Sequence, residues 1–328
     1  MIARLAIGIG LAIACVTQVC TAAPLALEGI IPLPNTSGRI DHMAVDVARK
    51  RLFVVELGNG SVDVVDIASR TVVHRISGLD EPQGVAYAAK PDVLVVACGG
   101  DGVVRFFDGK DYAPRGVIKL GDDADNAHLD PRNGRVVVGY GSGGLAVIDP
   151  AKGAKQSDIP LPAHPEGFIV SAVNGRAYVN VPDADAIEIV DLDAGKPLTK
   201  WTLPQHWSSN FPIALDDSGH VAAVFRSPSK LALFDEGRGQ LTAAADTCSD
   251  ADDVFFDIKR KRLYVSCGQG VVDIFPWNGK NLGPLERVST SSGARTSLFV
   301  SEFDRLIVAA RAGLLGSSAA IQIYRPLP

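Results

Sequence analysis

The chain has 328 residues, of which 47% are hydrophobic and 21% are charged, so it can bury a large core and wholesale disorder is excluded. Its formal net charge is −5 and it has no run of Lys or Arg, which argues against general nucleic-acid binding because that requires a basic surface. The 33 glycines and 20 prolines are spread along the chain, as is typical of many short strands joined by tight turns.

Residues 1–23 have the pattern of a signal peptide. Arg4 precedes an apolar run over 5–16, and residues 20–23 offer small side chains for cleavage. The run is too short for a stable membrane anchor, and no later segment reaches transmembrane length without charges. Residues 11–15 match a lipobox only loosely, so lipid anchoring is the less favoured alternative. We therefore expect a periplasmic or secreted protein.

A unit of apolar strand, turn, strand ending in small residues, Gly-rich turn and third strand ending in Asp repeats along the rest of the chain. The clearest copies pair 51–55 with 62–66 and 176–180 with 187–191. The strand-ending aspartates are spaced 42, 41, 42 and 44 residues apart, at Asp66, Asp108, Asp149, Asp191 and Asp235. A period of this length, with four short strands per unit, is typical of a β-propeller. We expect each Asp to accept backbone N–H groups of the following turn, which is a geometric role and not a catalytic one.

The repeat predicts seven units, counted from their first strands. Equivalent first-strand positions are occupied by His42, Gln83, Asn126, Glu166, Pro212, Asp253 and Thr296. The last unit ends at 321–324 without a fourth strand, whereas 27–34 precedes the first unit and echoes the fourth strand at 157–162. We therefore predict an all-β fold, a single seven-bladed β-propeller domain over 24–328 whose last blade is closed by the N-terminal strand. A closed ring leaves no edge strand to pair, so a monomer is expected.

The copies at 51–66 and 176–191 resemble the YVTN-repeat β-propellers, the YncE-like and surface-layer-type group of bacterial proteins. The similarity covers residues 25–328. The resemblance implies a periplasmic or secreted propeller. The functions of that group are varied, so the resemblance implies a fold and not a set of catalytic residues.

Candidate functional residues fall on one face of the predicted propeller. In an antiparallel four-stranded blade, the link into the first strand and the link out of the second strand share a face, and the first strands line the central channel. Polar groups at these positions should converge on one channel mouth. The ligand-binding candidates at these positions are His42, Glu56, Asn126, His164, Glu166, Arg226, Arg295 and Arg311. An insertion before blade five adds His206 and Trp207, which would either cover a ligand or pack against a neighbouring blade.

Carboxylates at the same mouth admit a second interpretation. Asp125, Glu166, Asp252 and Asp253 offer oxygen ligands for Ca²⁺ or Mg²⁺, and a metal there would suit a lactonase or other hydrolase in which it polarises a carbonyl. The alternative is that these side chains are solvated or paired with one another. The sequence has no Cys-x-x-Cys-His or Gly-x-Ser-x-Gly motif, so no further cofactor is expected and no catalytic residue is assigned. We expect a binding or scaffold protein for a small ligand or a protein partner, with a metal-dependent hydrolase as the alternative.

The cysteines predict one disulfide. Cys248 lies on the link into blade six and Cys267 at the exit of the second strand of that blade, so both belong to one blade and one face. Cys98 occupies the matching position of blade two without an evident partner, and we expect it to be a buried thiol.

Overall fold

The computed structural model describes residues 23–313 and 317–328. The strands of this part of the chain form seven antiparallel sheets of four strands each, which confirms the predicted all-β, seven-bladed β-propeller. The predicted signal peptide falls almost entirely on residues 1–22, outside the described residues. Two short 3-10 turns follow second strands, at Leu57–Asn59 and Pro182–Ala184.

Each blade is a meander of consecutive strands, except the last. Blade one comprises β2 (Met43–Asp46), β3 (Arg51–Glu56), β4 (Ser61–Asp66) and β5 (Thr71–Ser77). Blade two comprises β6 (Pro82–Ala88), β7 (Val93–Cys98), β8 (Val103–Asp108) and β9 (Pro114–Lys119). Blade three comprises β10 (Ala124–Leu129), β11 (Val136–Tyr140), β12 (Gly144–Asp149) and β13 (Ala154–Pro160). Blade four comprises β14 (Phe168–Val170), β15 (Arg176–Val181), β16 (Ala186–Asp191) and β17 (Lys196–Thr202). Blade five comprises β18 (Ser208–Leu215), β19 (His220–Ser227), β20 (Ser229–Asp235) and β21 (Leu241–Asp246). Blade six comprises β22 (Ala251–Asp257), β23 (Arg262–Cys267), β24 (Val271–Pro276) and β25 (Glu286–Ser289). Blade seven comprises β26 (Ser297–Val300), β27 (Arg305–Ala310), β28 (Ala320–Pro326) and β1 (Leu25–Pro32).

The ring is closed where β1 pairs with β28. The two strands run antiparallel, with Leu25 opposite Pro326 and Pro32 opposite Ala320. The N–H of Leu327 also donates to the carbonyl oxygen of Pro24 at 2.9 Å. This pairing confirms the closure predicted from the missing fourth strand, and it removes the exposed edges that an open sheet would carry.

The hydrophobic core lies between neighbouring blades. Phe53 and Val55 of blade one pack in the same cluster as Leu94 and Val96 of blade two. Middle strands such as β7 are buried along their whole length because both faces of each blade are covered. This two-sided burial explains the continuous Val-rich runs that mark the repeat in the sequence.

The strand-ending aspartates have the predicted role in turns. Asp66 accepts from the backbone N–H groups of Ala68 and Ser69 at 2.8 and 2.9 Å. Asp149 accepts the N–H of Ala151 at 2.9 Å, and Asp108, Asp191 and Asp235 accept equivalent bonds. The sequence therefore repeats about every 42 residues because the same turn, with an Asp that accepts its backbone N–H groups, recurs in successive blades.

The predicted disulfide is confirmed. Cys248 and Cys267 are bonded, with their Cα atoms 6.0 Å apart, and join the link into blade six to the end of its second strand. Cys98 is a buried free thiol, as expected, and burial raises its pKa to about 11. None of the described residues belongs to a helix long and apolar enough to cross a bilayer.

Candidate functional site

Polar side chains converge at one end of the channel, on the face where first strands begin and second strands end. We call this cavity the upper mouth. It has a volume of about 430 Å³ and every blade contributes to its wall. Its lining residues are Arg39, Asp41, His42, Leu57, Glu81, Gln83, Asp123, Asp125, Asn126, His164, Glu166, Gly167, Phe211, Arg226, Asp252 and Arg295.

Irregularities in the first strands help to aim these side chains into the mouth. The pairing register of the first and second strands shifts beside Gln83 in blade two, Asp125 in blade three and Asp252 in blade six. A β-bulge adds a residue to one strand and redirects the side chains around it, and bulges are frequent next to binding sites. At Gly84 the two neighbouring blades approach so closely that a Cβ would collide with the carbonyl oxygen of Asp125.

The wall formed by blades three and four is rich in carboxylates around a histidine. The His164 Nδ1 atom lies 2.6 Å from the carbonyl oxygen of Gly141 and 3.7 Å from a carboxylate oxygen of Asp123, while Nε2 lies 3.8 Å from Asp125. The nearby carboxylate of Asp125, against the cost of burial, raises the pKa of His164 to about 9, so its ring is an imidazolium at neutral pH. Burial, followed by the charge of Asp125, raises the pKa of Glu166 to about 7.

The wall formed by blades five to seven carries paired arginines. Arg226 donates to one oxygen of Asp252 at 2.7 Å, and the Nε of Arg295 lies 3.1 Å from the other. Arg295 also donates to Asp250 at 2.8 Å. The guanidinium of Arg226 lies 3.8 Å from the centre of the Phe211 ring, a cation–π contact. Both oxygens of Asp252 are therefore engaged by guanidinium groups.

The floor of the mouth contains a buried acid and a histidine. Burial raises the pKa of Asp41 to about 6, although Arg39 lies 2.8 Å from its Oδ2. Burial lowers the pKa of His42, but Asp41 and then Asp125 outweigh burial, so that the pKa lies above its ordinary value. His42 Nδ1 and one oxygen of Asp125 are buried without a hydrogen-bond partner among the described residues. An excess of negative charge thus surrounds the floor.

The structure brings most of the sequence candidates together. His42, Asn126, His164, Glu166, Arg226 and Arg295 line the upper mouth, with the carboxylates Asp125 and Asp252. Asp253 points deeper into the channel: burial raises its pKa well above the usual range, and it accepts the N–H of Ser297 at 2.6 Å.

Four candidates lie elsewhere. Glu56 is fully buried and accepts hydrogen bonds from Thr36 and Ser61 at 2.6 and 2.5 Å, so it does not line the mouth. Trp207 packs edge-on against Phe225 with ring centres 5.2 Å apart, and His206 is exposed. Arg311 lines a separate surface cavity with Ser291 and Ser292.

Several residues of the wall are not among the candidates predicted from the sequence. Arg39, Glu81 and Asp123 lie two or three residues before the first-strand positions used as anchors, on links whose length the repeat does not fix. Asp250, which pairs with both Arg226 and Arg295, likewise lies on such a link, three residues before the anchor position Asp253.

No three His, Cys, Asp or Glu side chains within 23–313 and 317–328 are grouped so as to hold a metal ion. The carboxylates predicted as ligands are instead distributed around the wall, Asp252 with two arginines and Asp125 with His164. The Ca²⁺ or Mg²⁺ site stays a prediction from the sequence.

The fold and this mouth define a seven-bladed β-propeller with a charged channel opening. No protein-family model matches the sequence, and no curated protein matches it. A chain in a structure titled "Crystal Structure of Mitotic Checkpoint Complex" is similar, with a TM-score of 0.80, 14% identity and 99% of each chain covered. A chain of Kuenenia stuttgartiensis hydrazine synthase is also similar, with a TM-score of 0.74, 14% identity, and 88% of this chain and 97% of that chain covered. At this identity the likeness shows the propeller fold alone, and the YncE-like resemblance remains an interpretation of the sequence.

Proposed function

We propose that the protein is an exported binding propeller that holds a small, positively charged ligand in the upper mouth. The observation that carries this proposal is the convergence of charged side chains from all blades in one cavity of about 430 Å³, a size typical of ligand sites. Export is supported by the signal-peptide pattern and by the disulfide, which is typical of oxidising compartments.

The charge of the cavity favours a cation. Six carboxylates line it, against three arginines and two histidines. The arginines of blades five and seven are already paired with Asp250 and Asp252. The wall of blades three and four keeps an excess of negative charge, and the raised pKa of Glu166 follows from burial and from that excess. An ammonium or guanidinium group placed there would relieve the repulsion and stabilise ionised Glu166.

This proposal predicts that cation binding releases protons near pH 7, because Glu166 is partly protonated before binding and ionised afterwards. Calorimetry in two buffers of different ionisation enthalpy measures the released protons. Agmatine and butylammonium are the probes, with butanol and butyrate as neutral and anionic comparators. Glu166→Gln should abolish the proton release and weaken cation binding about tenfold or more, because the neutral amide cannot form the charge-assisted hydrogen bond that the carboxylate makes to the cation.

Glu286→Gln is the matched control, since Glu286 is exposed on the outer strand of blade six. The control should bind the cations as the native protein does. Binding of butyrate in preference to butylammonium, or cation binding that survives Glu166→Gln unchanged, would contradict the proposal.

A further inference from the structure

A second cavity opens at the opposite end of the channel, on the face where first strands end. We call it the lower chamber. Its volume is about 510 Å³, larger than the upper mouth, and its walls come mainly from the first strands of blades four to seven. His42, Asn126, Gly167 and Asp252 line both cavities and separate them as a polar collar.

The exposed surface of the lower chamber is mostly apolar and aromatic. Its walls include Phe168, Ile213, Phe255 and Phe299. Phe255 and Phe299 are only partly buried, so apolar surface remains exposed inside the channel. Cavities with mostly apolar walls and a few convergent polar groups are typical small-molecule sites, whereas the upper mouth is charged on every side.

His128 lies in the lower chamber among these apolar groups, whereas the charged lining residues lie at its two ends, where first strands begin (Asp252, Asp253) and where they end (Asp216, Asp217, Asp257, Lys259, Asp304). Its Nε2 lies 3.1 Å from Oδ1 of Asn126, and its ring meets the edge of Phe168 with centres 4.6 Å apart. An amide oxygen only accepts hydrogen bonds, so Nε2 carries the proton and Nδ1 presents a lone pair. His128 is partly exposed, and the hydrogen bond of its ring within residues 23–313 and 317–328 is the one from Nε2 to Asn126, which leaves Nδ1 accessible to a ligand. Burial lowers the pKa of His128 to about 3, which keeps this acceptor unprotonated at neutral pH.

The residues around His128 determine whether an anionic, a cationic or a neutral molecule fits the lower chamber. An anion would meet the carboxyl groups of Asp252 and Asp253 at the inner end of the chamber. At the outer end Asp216 is paired with His220, and Asp257 and Asp304 are paired with Arg260, so these carboxylates already have cationic partners. A cation would lose its hydration among the phenylalanines, and His128 itself is held neutral there. A neutral molecule with an apolar ring and one donor satisfies both the walls and the unpaired acceptor.

We propose that the lower chamber is a second binding site, which takes a small neutral aromatic molecule carrying one hydrogen-bond donor, such as a phenol or an indole. The ring lies among Phe168, Phe255 and Phe299, and its O–H or N–H donates to Nδ1 of His128. This site is independent of the cation site proposed above, because only the collar residues are shared.

The test uses ligand-observed NMR and calorimetry with phenol and indole, and with toluene, benzoate and benzylammonium as comparators. Phenol and indole should bind more tightly than toluene, and the two charged rings should not bind. His128→Phe retains an aromatic ring of similar size and removes the acceptor, so phenol affinity should fall about fivefold to tenfold, to the level of toluene. His128→Gln, which restores an acceptor, should recover part of that preference.

A second pair of variants tests the location without altering His128. Ile169→Trp places a large side chain in the chamber and should abolish phenol binding. Val173→Trp is the matched control, because Val173 is 80% exposed in the next turn of the same blade and does not line the chamber. Glu166→Gln should leave phenol binding unchanged, which separates this site from the upper mouth. The proposal is overturned if phenol fails to bind, or if it binds equally well to Ile169→Trp and to Val173→Trp.

Discussion

Replacing His164 by Gln should remove a stabilisation that depends on pH. In the folded protein this imidazole lies between the carbonyl oxygen of Gly141 and the carboxylates of Asp123 and Asp125, which raises its pKa from 6.5 to about 9. A difference of this size corresponds to about 3 kcal/mol. The folded state holds the proton more tightly than the unfolded chain. The stabilisation is therefore complete below pH 6.5 and is lost as the pH rises to about 9.

Denaturant unfolding followed by tryptophan fluorescence measures this effect. Between about pH 6 and pH 9.5 the native protein should lose about 3 kcal/mol of unfolding free energy more than His164→Gln does. His206→Gln is the control, because His206 is exposed and does not line the mouth, so it should follow the native protein. An NMR titration that placed the pKa of His164 near 6.5, or equal pH dependence in the native protein and His164→Gln, would refute the argument.

Three other perturbations address the fold. Replacing Cys248 and Cys267 together by Ser should cost about 3 kcal/mol, because the bond closes a loop across 19 positions; calorimetric melting against the oxidised native protein checks this, and the reduced native protein should melt like the variant. Gly84→Ala should destabilise by about 1–3 kcal/mol through its collision with the adjacent blade, whereas Gly237→Ala, which has room for a Cβ, should melt within a degree or two of the native protein. Deleting residues 25–32 should expose the edge of β28 and shift the protein to larger species in size-exclusion chromatography; a monomer of unchanged melting temperature would show that closure is dispensable.

The fold was predictable because it is repeated. The same turn requirement recurs at Asp66, Asp149 and Asp191, and each copy reinforces the assignment of the others. The closing strand was predictable for the same reason, since a missing fourth strand at one end of the chain matched a surplus strand at the other.

The site was predictable only in part. Blade connectivity places strand ends on a face, but it does not determine the direction of a side chain at a strand end. Glu56 and His164 both lie at the end of a link or strand on the upper face, yet Glu56 is buried between strands while His164 lines the mouth. The bulges that help to aim Asp125 and Asp252 depend on contacts between blades, which the repeat does not encode.

The sequence contains a signal for the lower chamber in the spacing of two polar residues. His128 follows Asn126 by two positions along a strand, and side chains two apart lie on the same side. A polar residue two positions after a residue that lines the upper mouth therefore indicates a polar side chain deeper in the channel.

The ring closes where β1 pairs with β28, so it can close only after β28 has formed. Blades one to six consist of neighbouring strands and can assemble as soon as each has emerged, whereas blade seven needs the first strand and the last. The entropic cost of joining two segments grows only slowly with their separation along the chain, so pairing strands this far apart costs little in the stability of the folded protein. Until the last strand arrives, however, its neighbour β27 has an open edge that invites pairing with other chains. Closure of the propeller therefore requires that β1 and β28 are both present, and it is the last step by which the ring loses its open edges.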